Sequence, residues 1–273
     1  MLRKLNMKKI KKRGEIFYYK SFDEDVQNLS FTSRVEIKDD FVYENKNIFY
    51  KLFSFILYWF IAKPILALVC KIRGISIKNK KYIKELRNTG YFIYGNHISN
   101  YDAISINTLA IWSKKVYLVA FSDALTIPFV KYIAKGLGMI PLGNSIKSQI
   151  NMMKYMEKII KKKQCILIYP EGHEWPYYTS IRPFKEGAFH YPSKFNCPIL
   201  PFVQIVKERK IFKNLKPKLE IRFLKPIYPK DDLTIKENKE YLMNNCINEM
   251  QEEIKKHKQF EYYKYVKIDE NSK

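Results

Sequence analysis

Four consecutive apolar residues, Tyr91-Phe-Ile-Tyr94, followed by Gly95, Asn96 and His97, constrain this chain more than any other stretch. The run has the length and apolarity of a buried strand. Gly95 breaks it, His97 lies on the turn, and Asp102 follows five residues later. If the chain turns into a helix after Ser99, His97 and Asp102 can face one pocket at the strand's C-terminal end. Open α/β sheets take ligands there. Asp102 can accept from one imidazole nitrogen and leave the other free to take a proton. The pair reads as a general base with its orienting carboxylate, without a protein nucleophile. Alone it is weak evidence, because a lone buried His is more often a satisfied core residue.

At 273 residues, 47% of them apolar, the chain fits one large domain or two small ones with ample core. Its formal charge of +23 suits an anionic membrane surface or nucleic acid. A lysine-rich composition with solvated lysines is the bland alternative. Cys70, Cys165, Cys197 and Cys246 have no paired spacing, so neither a zinc site nor a disulfide framework is expected. Reduced thiols facing the cytoplasm are the default. The basic N-terminus is not followed by the apolar core of a signal peptide.

Four regions follow: a basic polar extension (1–47), membrane-associating helices (48–70), a catalytic-type domain (71–260) and a tail (261–273). Met1 to Arg13 carries seven Lys/Arg and no acid, and reads as a flexible arm for anionic lipid. Residues 31–47 alternate apolar and charged side chains, as a strand or short hairpin would. Ile48 to Cys70 is the most apolar stretch, interrupted by Lys63-Pro64. Pro64 should break or kink a helix, leaving two pieces each too short to span a bilayer. Two helices dipping into one leaflet, with Lys63 snorkelling to its surface, are expected. A single tilted span and a buried soluble helix are the alternatives.

Further strands are expected at Ile75–Ile77, Tyr117–Phe121, Gly138–Gly143, Cys165–Tyr169, Pro198–Val203 and Leu219–Leu224. Helices are expected at Pro128–Leu137, Ser148–Lys163 and Glu237–Lys256, with a frayed end beyond Lys255. The alternation points to a mixed α/β sheet covered by helices. No nucleotide fingerprint or Gly-rich phosphate loop is present.

Taken together, the motifs resemble the glycerolipid acyltransferases that acylate 1-acyl-glycerol 3-phosphate and related lysophospholipids. Asn96-His97 with Asp102 matches the family's N-H-x-x-x-x-D block. Pro128-Phe129 and Gly138-Met-Ile-Pro-Leu142 match the frame of the second block. Tyr169-Pro-Glu-Gly172 and Pro183-Phe-Lys-x-Gly187 match the third and the segment after it, and Pro198-Ile-Leu-Pro201 matches the fourth. The resemblance covers about residues 48–225. It implies a glycerol-3-phosphate-acyltransferase-like fold with N-terminal membrane-seating helices. It also implies a base, His97, held by Asp102, which deprotonates the acceptor hydroxyl for direct attack on an acyl thioester. Acyl-CoA or acyl-carrier protein would be the donor, a lysophospholipid the acceptor, and the cytoplasmic face of the cell membrane the location. No metal, other cofactor or nucleic acid is expected.

Two departures matter. Where the family's second block ends in Arg, this chain has Asn144, and E-G-T-R is here Glu171-Gly172-His173-Glu174. In the family those arginines hold the acceptor's phosphate. Glu171 and Gly172 would organise the acceptor or the turn, and Arg182 and Lys185 would take over the phosphate. Alternatively, the acceptor is another lysolipid or a glycolipid. Ser99 reads as a turn or helix-cap residue rather than a nucleophile, and His173, His190 and His257 as structural or solvent-facing. A non-catalytic basic protein binding membranes or nucleic acid would explain the charge but not the blocks.

Overall fold

The computed structural model describes residues 13–27, 36–126 and 130–268. Its centre is a sheet of β2 (Ile75–Lys78), β3 (Tyr91–Gly95), β4 (Val116–Ala120), β5 (Met139–Pro141), β6 (Cys165–Ile168), β7 (Ile199–Lys207) and β8 (Lys218–Phe223). The spatial order is β2-β8-β7-β3-β6-β4-β5. Strands β3 to β7 run parallel, β8 is antiparallel to β7, and β2 runs with β8. The mixed sheet expected from the sequence is therefore present, with β3 in its middle.

Its apolar runs are continuous because both faces are covered. On β3, Tyr91 and Ile93 join a core with Ala67, Cys70 and Ile106. Phe92 and Tyr94 join the opposite core with Met152, Met156, Leu242 and Cys246. The second face is covered by helices Ile146–Lys161, Gly187–Lys194 and Ile235–Lys255. The first and third of these begin with reciprocal caps, Ser145 with Ser148 and Thr234 with Glu237. Gly95 makes room for its neighbour: a Cβ there would enter the ring of Phe202 on β7, which would have to shift. All four cysteines are buried and free.

The apolar stretch differs from expectation. Ile48–Ile72 is one continuous helical run, α1, long and apolar enough to cross a membrane. Pro64 does not break it, because a π turn, Leu57–Ala62, precedes it. There the Lys63 N–H donates to Tyr58 O, five residues back, which carries the ladder to the residue before the missing proline donor. Nor does Lys63 snorkel. It is buried, donates to Ile111 O at 2.6 Å and lies 4.2 Å from the Trp59 ring, with Tyr58 and Trp112 each at 5.3 Å. Burial pulls its pKa down to about 8. Ser54, Tyr58, Lys63, Ala67 and Cys70 face the domain along the run, and Phe49, Leu52, Phe53, Phe60, Ile65 and Leu68 face outward.

The ends of the chain also differ. Strand β1 (Ile16–Tyr19) pairs in parallel with β9 (Lys264–Lys267), so the end expected to fray is a strand. The pair packs on Trp175, with Tyr265 stacked on its ring and Tyr19 edge-on to it. Residues 36–47 form no strand, and Asn144, three residues beyond β5, accepts the Ile37 N–H at 2.8 Å. Residues 1–12 of the basic arm, 31–35, and Pro128-Phe129 lie outside the described residues.

The Gly95–Phe202 contact gives a direct stability test. Gly95→Ala overpacks the β3–β7 seam and should cost about 1–3 kcal/mol in a denaturant titration. An unchanged midpoint would contradict this packing.

Candidate active site

The parallel strands β3 and β6 end side by side, and each delivers part of the site. Beyond β3, Asn96 locks the chain to β7: its Oδ1 accepts the Gln204 N–H at 2.8 Å, and Gln204 Nε2 donates to Asn96 O at 2.8 Å. Residue 97 therefore leaves the sheet from a rigid base.

His97 Nδ1 lies 2.9 Å from Asp102 Oδ2. The same oxygen accepts the Ile98 and Ser99 N–H groups at 2.8 and 3.0 Å. An oxygen that already receives two donors is an acceptor, so Nδ1 carries the hydrogen and Nε2 is left with a lone pair. Tyr169, at the end of β6, stacks on the imidazole with centroids 4.4 Å apart. Burial pulls the His97 pKa down, but the Asp102 hydrogen bond and the charges of Asp102, Glu174 and Glu171 outweigh it, and the net shift is upward. Ser99 Oγ is used locally, accepting the Tyr101 N–H at 3.2 Å.

The Pro170-Glu171-Gly172 turn follows β6. Gly172 has φ +84°, a left-handed conformation that favours glycine. Buried Glu171 accepts three N–H groups: from the His97 backbone at 3.0 Å, the Arg182 backbone at 2.9 Å and Arg182 Nη2 at 2.7 Å. Beyond the turn, the Trp175 and Tyr177 N–H groups donate to His97 O and Ile98 O at 2.9 and 2.8 Å. The turn after β6 thus clamps the backbone on both sides of His97.

Of the residues singled out in the sequence, His97, Asp102, Glu171 and Gly172 come together. Arg182 adjoins them through Glu171, whereas Lys185 and Asn144 lie apart. Arg182 is fully buried, paired with Glu171, bonded to His173 O and packed over Trp175 at 4.8 Å, so its fork faces inward. Lys185 is exposed and pairs with Asp23. Asn144 follows the edge strand β5, three strands and about 14 Å from β3.

Other residues also shape the site. Gln204 and Tyr169 support His97, and only Tyr169 lay in a motif. Glu174 approaches the site from the turn, held by Gln27 Nε2 at 3.1 Å. The Asn100 amide, oriented to satisfy both of its ends, places its nitrogen 2.6 and 3.1 Å from the Glu174 oxygens. Burial pushes the Glu174 pKa up to about 7; the His97 charge opposes that shift and Asp102 adds to it. Among the described residues no group of three His, Cys, Asp or Glu is placed to hold a metal ion.

Residues 74–205 match the family model described as Acyltransferase. A 1-acyl-sn-glycerol-3-phosphate acyltransferase of Haemophilus influenzae is 29% identical over 173 residues, 59% of this chain and 70% of that one. A protein of the same name from Saccharomyces cerevisiae is 27% identical over 44% of this chain and 40% of its own length. A chloroplastic one from Brassica napus is 25% identical over 38% of this chain, and the match spans 31% of its length. The fold is similar to the crystal structure of PlsC, the 1-acyl-sn-glycerophosphate acyltransferase of Thermotoga maritima. The TM-score is 0.53 at 17% identity, covering 78% of this chain and 91% of that one. With the ordered blocks around His97, Glu171 and Pro198 lying inside it, the matched region, residues 74–205, is an acyltransferase-family domain.

Proposed function

We propose that this chain moves an acyl group from an acyl thioester to the free hydroxyl of a lysophospholipid, with 1-acyl-glycerol 3-phosphate as acceptor and phosphatidic acid as product. The observation that carries the reading is the His97 ring held by Asp102 at Nδ1, with Nε2 free. Nε2 takes the hydroxyl proton as the oxygen attacks the thioester carbonyl. The carbon–sulfur bond then breaks, and the imidazolium returns a proton to the leaving thiolate. Asp102 stabilises that imidazolium, and no acyl-enzyme is required. Acyl-coenzyme A or acyl-carrier protein can serve as donor. A cavity of about 270 Å³ between α1 and the sheet is lined mainly by apolar residues, including Ile104, Leu118, Ala134 and Met139, and suits the acyl chain.

The outward apolar face of α1 seats the protein on a membrane, which we assign to the cytoplasmic face. Because the other face of α1 packs on the domain along its length, attachment within one leaflet is favoured over a span. Glu174, standing where the family has an arginine, favours a second reading: the same chemistry on a lysolipid with a different head group.

Several outcomes follow. His97→Ala should reduce acyl transfer by about 10²–10⁴-fold in an assay with labelled acyl thioester, with the fold intact. Retention of more than a tenth of the activity would refute the mechanism, and a non-catalytic protein would show no transfer at all. Arg182→Ala should lose about 3–5 kcal/mol of stability in denaturant, because Glu171 is left buried and unpaired. A raised KM with unchanged stability would return Arg182 to a binding role. Phe49, Phe53, Phe60 and Leu68 changed together to Ser should abolish co-sedimentation with vesicles, which high salt alone should not do. Undiminished binding by that variant would show that α1 is not the membrane contact.

A further inference from the structure

Arg73 follows α1 and leads into β2, and Lys216 leads into β8. Strands β2 and β8 run opposite to β3 and pair with Ile75 beside Leu219. Their starting ends therefore lie at the edge of the sheet where β3 delivers His97. The Arg73 guanidinium stands 5.0 Å from the ring of Tyr101, the residue before Asp102. Lys216 Nζ lies 5.7 Å from the ring of Tyr177, whose backbone is bonded to Ile98.

A third cation joins the two segments. Arg209, 8% exposed, donates through Nη2 to Arg73 O at 2.5 Å and through Nε to Lys216 O at 2.7 Å. Among the described residues no carboxylate lies within ion-pair distance of Arg73, Arg209 or Lys216. Burial and the nearby Arg73 charge lower the pKa of Lys216, and Glu174 opposes them. Arg209 holds the two backbone segments together, and like charges brought close in this way repel one another until an anion arrives between them. No motif marks these positions, which are scattered in sequence among 50 Lys and Arg.

We propose that Arg73 and Lys216 bind the phosphate of the acceptor, in place of the arginines that the family carries where this chain has Asn144 and Glu174. The inference rests on the acceptor reading above. That acceptor bears its phosphate on the carbon next to the reacting hydroxyl, so its cation site belongs near His97. Arg73 also ends the helix whose apolar face meets lipid, where a lysolipid head group would enter. Arg209 is a positioning residue that sets the spacing of the other two.

The test is steady-state kinetics of the full chain with 1-acyl-glycerol 3-phosphate and with monoacylglycerol, for Arg73→Gln, Lys216→Met and Lys216→Arg. Removing either charge should raise KM for the phosphorylated acceptor by about ten- to hundredfold, as lost charged hydrogen bonds do. The kcat should stay within about twofold, as expected for uniform binding. Lys216→Arg should restore most of the affinity. KM for monoacylglycerol and for the acyl donor should not move. An unchanged acceptor KM in both charge-removing variants overturns the proposal, and so does a rise in donor KM instead, which would place the donor's phosphates there. If Arg73→Gln does not fold, Lys216→Met decides alone. A wild type inactive on 1-acyl-glycerol 3-phosphate refutes the acceptor reading itself, and this site with it. An active wild type with indifferent variants refutes only this site.

Discussion

One buried carboxylate, that of Glu171, sets the geometry on which the site depends. It accepts the His97 backbone N–H, the Arg182 backbone N–H and the Arg182 guanidinium. It thereby joins the end of β3 to the turn after β6 and to the segment leading into the next helix. A buried ion pair adds little net stability over a well-packed apolar pair, but losing one partner is severe. The Glu171–Arg182 pair therefore acts chiefly through geometry. With the backbone of His97 fixed, Asp102 needs only to hold the ring, and Tyr169 covers its face.

The parts of this arrangement that are local in sequence were legible. His97 and Asp102 are five residues apart, and the turn between them gives Asp102 Oδ2 two backbone N–H donors beside the His97 ring. Strands β3 and β6 were visible because a strand covered on both faces is apolar at every position. The contacts of Arg182, Lys185 and Asn144 were not, because each depends on a distant partner: Glu171 and Trp175, Asp23, and Ile37. Lys63 misled for the same reason. Its sequence context is a charge in an apolar helix, and its cover comes from Trp112 and Ile111 on another segment. The pairing of β1 with β9 joins the two ends of the chain, which no local pattern can announce.

Helix α1 links the fold to the chemistry. Its inner face completes the core that holds β3, its outer face is apolar, and its last turn delivers Arg73 to the edge where His97 stands. In the proposed reaction, an acceptor leaving a membrane would meet the cations and then the base over a short path. Glu174 remains the residue at odds with a phosphorylated acceptor. Its raised pKa, to about 7, reduces the repulsion near neutral pH.

The central claim is that His97 acts as a base in the tautomer that Asp102 imposes. The pH dependence of kcat/KM tests it most directly, in wild type and in Asp102→Asn. A base must be neutral to accept a proton, so the rate should rise with pH through the His97 pKa, above the ordinary value of about 6.5. Asp102→Asn removes the hydrogen bond and the charge that raise this pKa and leaves the burial that lowers it. The rising limb should move to lower pH as the plateau falls. A limb that stays in place in Asp102→Asn would contradict the account.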